Sequence, residues 1–240
     1  MAGELEGRTV MVAGASSGMG KAVAIRAAGE GARLILLARD PQRLEETRTA
    51  AGSAEMTTIL GDASNAGSLA AAIAPHSIAI ETVDVLINSV GMNIVKRDFD
   101  SLTNDSWASM LDTNLTAAFN LMQIVIPGMR ARRQGLVINI ASTAARKADL
   151  SGAAYQASKA GVLALNHAVM EEEWKNGIRL TAILPGMTDT PLLDRRPTPV
   201  PPEARAAALQ PEDIAEACMF VMRLPPRAHI AEILIQPAQR

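Results

Sequence analysis

The chain has 240 residues, 48% of them apolar and 20% charged, with a formal net charge of −2 at pH 7. That balance is enough for one compact α/β domain with a sizeable core, excludes a disordered charged tail, and offers no general electrostatic grip on nucleic acid. Aromatic residues are scarce, so the core must be filled by Ala, Leu, Ile, Val and Met, and Tyr155 is the single tyrosine. Cys218 stands alone among apolar neighbours, which reads as a buried thiol and rules out an intrachain disulfide. His76, His167 and His229 lack metal-ligand spacing, so no metal is expected. The N-terminal residues lack the basic-then-apolar pattern of a signal peptide, and the stretch 113–129 is interrupted by Asn114, Asn120, Gln123 and Pro127. The expectation is a cytoplasmic protein without membrane association.

Short β-rich apolar runs alternate with longer helical patterns along the chain, the order expected of a parallel sheet covered by helices on both faces. Strands are predicted at 9–13, 33–37, 56–60, 85–88, 136–140, 179–184 and 232–236, and helices at 20–28, 41–50, 66–74, 107–132, 153–176 and 211–222. No internal repeat or long linker divides residues 1–240, which are read as one domain. The segment 185–211 breaks the alternation. Its Pro191, Pro197, Pro199, Pro201 and Pro202 resist both regular helix and central strand. A loop of this length in a compact domain usually serves a site, so residues 187–210 are expected to cover a substrate; an ordinary surface excursion is the alternative.

After the first strand comes Ala13-Gly14-Ala15-Ser16-Ser17-Gly18-Met19-Gly20, followed by helical sequence. Glycines let a backbone turn tightly and approach a pyrophosphate, and the free N–H groups of a helix start attract its charge. The spacing differs from G-x-G-x-x-G and lacks the Gly-Lys-Ser/Thr of a P-loop, so a packing turn and a nucleotide site both stay open on this segment alone. The second strand ends at Ala38-Arg39-Asp40, where a dinucleotide fold places the residue that reads the adenosine ribose. Arg39 suits a 2′-phosphate, whereas Asp40 either repels one or caps the next helix. The balance favours NADP(H) over NAD(H).

Tyr155-Gln156-Ala157-Ser158-Lys159 places a phenol and an ammonium four residues apart, on one face of a helix. A cation beside a phenol favours phenolate and brings it toward the range useful for general acid–base work on an alcohol or carbonyl oxygen. The other lysines are only Lys21, Lys96, Lys147 and Lys175. Ser142 follows the fifth strand, where its hydroxyl either donates to a substrate oxygen or caps the strand end. Asn114 is an unfavourable residue inside a helix and either holds a relay water or is a surface residue.

Taken together these motifs resemble the short-chain dehydrogenase/reductase family, of the single-domain type of about 250 residues, over nearly the whole chain. The resemblance implies a Rossmann-type doubly wound sheet of seven strands in the order 3-2-1-4-5-6-7. The family's glycine motif corresponds to residues 13–20, with Gly14, Ser16, Ser17, Gly18, Met19 and Gly20 at the cofactor and Ala13 replacing a threonine. Its adenine-contacting Asp and small residue correspond to Asp62-Ala63. Its N-N-A-G corresponds to Asn88-Ser89-Val90-Gly91, with Asn88 and Gly91 at the cofactor, and its P-G loop to Pro185-Gly186-Met187-Thr188-Asp189-Thr190. The tetrad falls on Asn114, Ser142, Tyr155 and Lys159. By resemblance Tyr155 exchanges the proton, and Lys159 lowers its pKa and holds the nicotinamide ribose. Ser142 orients the substrate oxygen, Asn114 carries the relay water, and Thr188 and Thr190 position the carboxamide.

Substrate-wall positions by the same resemblance are Met92, Asn93, Thr143, Ala144, Leu150 and Met187, a mostly apolar set. This suits a small, mainly apolar ketone or secondary alcohol. Arg195 and Arg196 reach a substrate anion only if the loop closes, and are otherwise solvated. One alternative is reduction of a 3-oxoacyl group on a carrier protein, which wants a basic docking patch hinted at by Arg130, Arg132 and Arg133. Another is a non-catalytic NADP-binding sensor or scaffold. Family members assemble as dimers or tetramers through helices that here correspond to 107–132 and 153–176, so a homodimer or homotetramer is expected.

Overall fold

In the computed structural model, which describes residues 3–239, strands form at the short apolar, β-branched runs of the chain. β1 (Thr9–Ala13), β2 (Arg33–Ala38), β3 (Met56–Leu60), β4 (Val85–Asn88), β5 (Gly135–Ile140), β6 (Ile178–Pro185) and β7 (Glu232–Ile235) make one sheet. Its order is β3-β2-β1-β4-β5-β6-β7, with every neighbouring pair parallel. This is the expected doubly wound sheet, and the strand bounds differ from the sequence reading by at most one residue at either end.

Helices α1 (Gly18–Gly29), α2 (Pro41–Ala50), α3 (Ala66–Ile73), α4 (Ser77–Glu81), α5 (Asn104–Leu111), α6 (Ala117–Arg132), α7 (Ala153–Glu173), α8 (Pro202–Ala206) and α9 (Pro211–Arg223) complete the fold. Strand side chains alternate between the two faces. Val10, Val12, Leu34, Leu36, Val85 and Ile87 pack with α1 and α9 residues such as Val23 and Ile214. Met11, Ala13, Ile35, Leu37 and Leu86 pack instead with Leu69 of α3, Ile80 of α4 and Leu121 of α6. Cys218 is fully buried in the first of these layers.

Three departures from the sequence reading have physical causes. The helix predicted at 107–132 begins earlier and is divided. Thr103 caps α5 by accepting from the Ser106 N–H at 3.1 Å, and a π-helical turn, Asp112–Thr116, separates α5 from α6. The helix predicted at 153–176 stops at Glu173 and tightens into a 3₁₀ turn, Trp174–Asn176. The proline-rich segment does contain helix: a 3₁₀ turn at Pro191–Arg195, and α8. Pro191 and Pro202 open these elements, where a missing N–H does no harm. The same segment is tied down by a parallel bridge between Thr188 and Leu209 and by Arg205, which pairs with Asp189 and Asp194 at 2.8 Å each.

Candidate active site

The order of strands reverses between β1 and β4, and the crevice this opens at the carboxyl ends of the strands holds a cleft of about 590 Å³. One end is built from the turn after β1. Gly14 has φ +80°, and a Cβ there would lie 2.8 Å from the Ser89 backbone, so only glycine fits between the β1 and β4 loops. Ser17 is the N-cap of α1 without a side-chain cap bond, and no acidic residue stands in the first turn. The helix start therefore presents uncapped N–H groups and its positive pole to the cleft, beside Ser16, Ser17, Gly18 and Met19. Gly20 packs on the Gly14 carbonyl, 2.2 Å from where its Cβ would sit, and does not line the cleft.

The far wall carries Arg39, Asp62, Ala63 and an arginine that sequence reasoning missed, Arg43. Asp40 caps α2, its Oδ1 accepting from the Arg43 N–H at 3.1 Å. Arg39 is largely exposed and stands 3.6 Å from Asp62. Burial alone would raise the Asp62 pKa, but the Ser64 hydroxyl and N–H at 2.7 and 2.9 Å, together with Arg39, hold it below the usual carboxylate range. A chain of uncapped amides, two guanidiniums and a long concave wall fits a dinucleotide that bears phosphates. Asn88 does not reach this surface. It donates to Asn139 at 3.0 Å, which in turn donates to Asn166 at 3.1 Å, so a line of buried amides braces β4, β5 and α7 from beneath.

The other end gathers the proton-transfer candidates. Tyr155 and Lys159 project from α7 and are 8% and 5% exposed. The Lys159 Nζ stands 5.9 Å from the phenol centroid and donates to the Ile140 carbonyl at the end of β5, at 3.1 Å. Burial pushes the Lys159 pKa down to about 8. Burial is also the largest influence on Tyr155 and raises its pKa, opposed by the Ser142 hydroxyl and the charges of Arg97 and Arg196. The lowering expected from Lys159 is not what governs the phenol in the protein alone. Buried as deeply as the phenol, the ammonium is itself destabilised by the loss of hydration.

Asn114 lies in the π turn and is 1% exposed. Its Oδ1 accepts from the Met92 N–H at 2.7 Å, while its Nδ2 donates to the Met92 carbonyl at 3.1 Å and to the Ser158 hydroxyl at 2.9 Å. It thus ties the β4 loop to the helix that carries Tyr155, and is not a surface residue. Gly91 passes between Asn114 and Lys159: a Cβ there would lie 3.5 Å from one and 3.2 Å from the other.

A smaller compartment of about 100 Å³ opens on the other side of Tyr155, lined by Ser142, Thr143, Pro185, Gly186, Met187, Thr188 and Thr190. Met92 lines the main cleft and Asn93 lines both spaces. Two expected wall residues stand elsewhere. Ala144 is buried in a small cluster with Met110, Ala154 and Tyr155, and Leu150 is 96% exposed, outside both spaces. In their place are Arg97, Asp149 and Arg196, which makes the compartment more polar than the sequence reading. Arg97 was missed because Lys96-Arg97-Asp98 reads as a solvated charge run.

A doubly wound sheet whose switch-point crevice joins a phosphate cradle to a buried Tyr–Lys pair defines a nucleotide-dependent α/β enzyme. Residues 8–199 match the family described as short chain dehydrogenase, and the chain belongs to that family. It is 30% identical to an uncharacterized oxidoreductase of Staphylococcus haemolyticus, over 98% of this chain and 99% of that one. Among solved structures it is similar to a metagenomic short-chain oxidoreductase in complex with NADP, with TM-score 0.84 and 28% identity over 99% of this chain and 100% of the other. It is also similar to a 3-ketoacyl-(acyl-carrier-protein) reductase from Brucella melitensis complexed with NADH, with TM-score 0.87 and 25% identity over 98% and 99%. The protein is accordingly an oxidoreductase acting on CH–OH or C=O groups with NAD(P). No helix among the described residues is long and apolar enough to cross a membrane.

Proposed function

We propose that the protein transfers hydride reversibly between NADP(H) and a small ketone or secondary alcohol, with Tyr155 as the acid–base group. The observation that carries this reading is the meeting of Tyr155, Ser142 and Lys159 at the junction of the long cleft and the small compartment. When bound, the dinucleotide supplies or accepts the hydride. In reduction the substrate oxygen takes the Tyr155 proton as the carbonyl carbon gains the electron pair, and Ser142 donates to the same oxygen as charge develops. Lys159 lies behind the phenol, where its charge favours phenolate once Tyr155 has given up the proton. Asn114 keeps the Met92 loop against α7, and so holds Tyr155 in line.

Ser16, Ser17, Gly18 and Met19 hold the phosphates on this reading, Asp62 and Ala63 meet the adenine, and Gly91 and Lys159 flank the nicotinamide ribose. Pro185, Gly186, Thr188 and Thr190 meet the carboxamide. Preference for NADP(H) rests on Arg39 and Arg43 at the end of β2, with Asp40 engaged as a helix cap. A carrier-protein substrate is less well supported. Arg130 pairs with Glu173, Arg132 donates to the Val83 carbonyl and Arg133 to the Lys175 carbonyl. These arginines also precede β5, at the end of the sheet opposite the cleft. A homodimer or homotetramer is consistent with the exposed Trp107 and Phe119 on α5 and α6, and a cytoplasmic setting with the free thiol of Cys218. Fluorescence titration with NADPH, followed by NADPH oxidation with ketones and acyl thioesters and the reverse assay with secondary alcohols, tests the reading. NADPH binding without turnover of any of them would leave only a sensor or scaffold.

A further inference from the structure

The small compartment beside Tyr155 holds a charge that the proton transfer does not need. Arg97, on the loop after β4, is 6% exposed and lines this space. Its Nε donates to the Ile94 carbonyl at 2.9 Å and one Nη2 hydrogen to the Arg195 carbonyl. The other N–H groups of the guanidinium have no protein partner among the described residues, and no carboxylate comes within ion-pair distance. Burial, and then repulsion from Arg196, lower its pKa, and the nearby carboxylates Asp98 and Asp149 offset this only in part. The unpartnered nitrogen is not itself buried, because among the described residues the buried polar side-chain atom without a partner is Asn166 Nδ2, so these N–H groups face the open space of the compartment.

The seat of Arg97 is built into the backbone. Gly152 has φ +91°, and a Cβ there would lie 2.7 Å from the Arg97 carbonyl oxygen and 2.8 Å from its Cβ. Asn93 reinforces the same junction by donating to the Ser151 carbonyl at 3.0 Å. The residue that opens α7, three before Tyr155, is thus shaped around Arg97, and the guanidinium charge is felt by the phenol. Arg196, exposed on the proline-rich segment, lines the same space, while the nearby Asp189 and Asp194 are occupied by Arg205. The one carboxylate on the wall, Asp149, is exposed and has its Oδ1 engaged by the Ser151 N–H at 2.8 Å.

We infer that Arg97, assisted by Arg196, anchors a carboxylate of the substrate, so that the compound oxidised or reduced is a short hydroxy acid or oxo acid with its carboxylate a few atoms from the reacting carbon. This rests on the reading of Tyr155 as the acid–base group. A planar guanidinium with free N–H groups matches a carboxylate in a bidentate pair. A compartment of about 100 Å³ holds an acid group and a short chain, not a bulky apolar body. Anchoring one end of the substrate in this way fixes the distance of its oxygen from Tyr155.

The test is calorimetric titration of the NADP⁺-loaded protein, in which an oxo compound binds without being reduced. The probes are 2-oxobutanoate, 3-oxobutanoate and 4-oxopentanoate, each against its methyl ester. At least one acid should bind tenfold or more tighter than its ester. Arg97→Gln should reduce that preference below threefold, Arg97→Lys should retain part of it, and Arg196→Gln should weaken the acid about threefold without affecting the ester. Because Arg196 is exposed, its variant carries the test where Arg97→Gln does not fold. Acids that bind no tighter than their esters overturn the inference, as does equal weakening of acid and ester in both glutamine variants. Turnover of the same pairs with NADPH keeps the two readings apart. Acid-selective binding without NADPH oxidation upholds the anchor and sinks hydride transfer, whereas esters reduced as well as acids uphold hydride transfer and sink the anchor.

Discussion

Replacing Lys159 by methionine should make the cofactor-free protein more stable and nearly inactive. The ammonium is 5% exposed, and burial pulls its pKa from 10.5 down to about 8. Between those two values the unfolded chain binds more protons than the folded one, so stability rises with pH across that window. Below about pH 8 the penalty of burying the charge is present in full, and the drop corresponds to about 3 kcal/mol. Methionine keeps much of the stem and removes the charge. It also forfeits the Nζ bond to the Ile140 carbonyl, a loss of about 1 kcal/mol. The net expectation at pH 7 is a gain of about 2 kcal/mol, or roughly 4–8 °C in Tm for a chain of this size. Urea unfolding of both proteins at pH 7, 9 and 10.5 reads the difference, which should shrink as pH rises. Turnover should fall by about 10³-fold or more as the phenol loses its neighbouring charge. A variant less stable than wild type at pH 7, or a gain indifferent to pH, would refute the account of a destabilised buried ammonium.

Tyr155→Phe should lower kcat by at least about 10³-fold while NADPH affinity, read by fluorescence titration, stays within about twofold; near-normal turnover would remove Tyr155 from the mechanism. Because it is the single tyrosine, absorbance titration at about 295 nm reports this phenol alone. Its ionisation in the cofactor-free protein should come above the ordinary value, as burial dictates. Asn114→Ala leaves the Met92 N–H and carbonyl without their side-chain partner and removes the donor to the Ser158 hydroxyl, which keeps its own bond to the Tyr155 carbonyl. It should cost about 2–4 kcal/mol in denaturant unfolding. Arg39→Ala should reduce kcat/KM with NADPH by about tenfold or more and leave the value with NADH almost unchanged; equal losses with both would show that Arg39 does not read a 2′-phosphate.

Where the sequence reading succeeded, the structural signal is local. A parallel strand buried on both faces must be apolar at successive positions, so the central strands stand out in the chain, the edge strands β3 and β7 show shorter apolar runs, and Asp40 announces the helix it caps. The i, i+4 pairing of Tyr155 and Lys159 follows from helix geometry and needs no tertiary information.

The other features depend on residues far apart in the chain. The π turn at Asp112–Thr116 coincides with an asparagine bonded to Met92 and Ser158, and neither partner is signalled near residue 114. Asn88 bonds across the sheet to Asn139, and Ala144 packs into a small core cluster with Tyr155. Arg97 sits in a run of charges that any local rule assigns to solvent, yet Gly152 lies against its backbone and packing removes nearly all of its exposure. Periodicity alone determined a parallel sheet covered by helices on both faces, and the motif resemblance added its doubly wound strand order and its cofactor class. Which charges line the compartment beside Tyr155 was decided only by the tertiary structure, because burial and partners are properties of the folded neighbourhood and not of the residue.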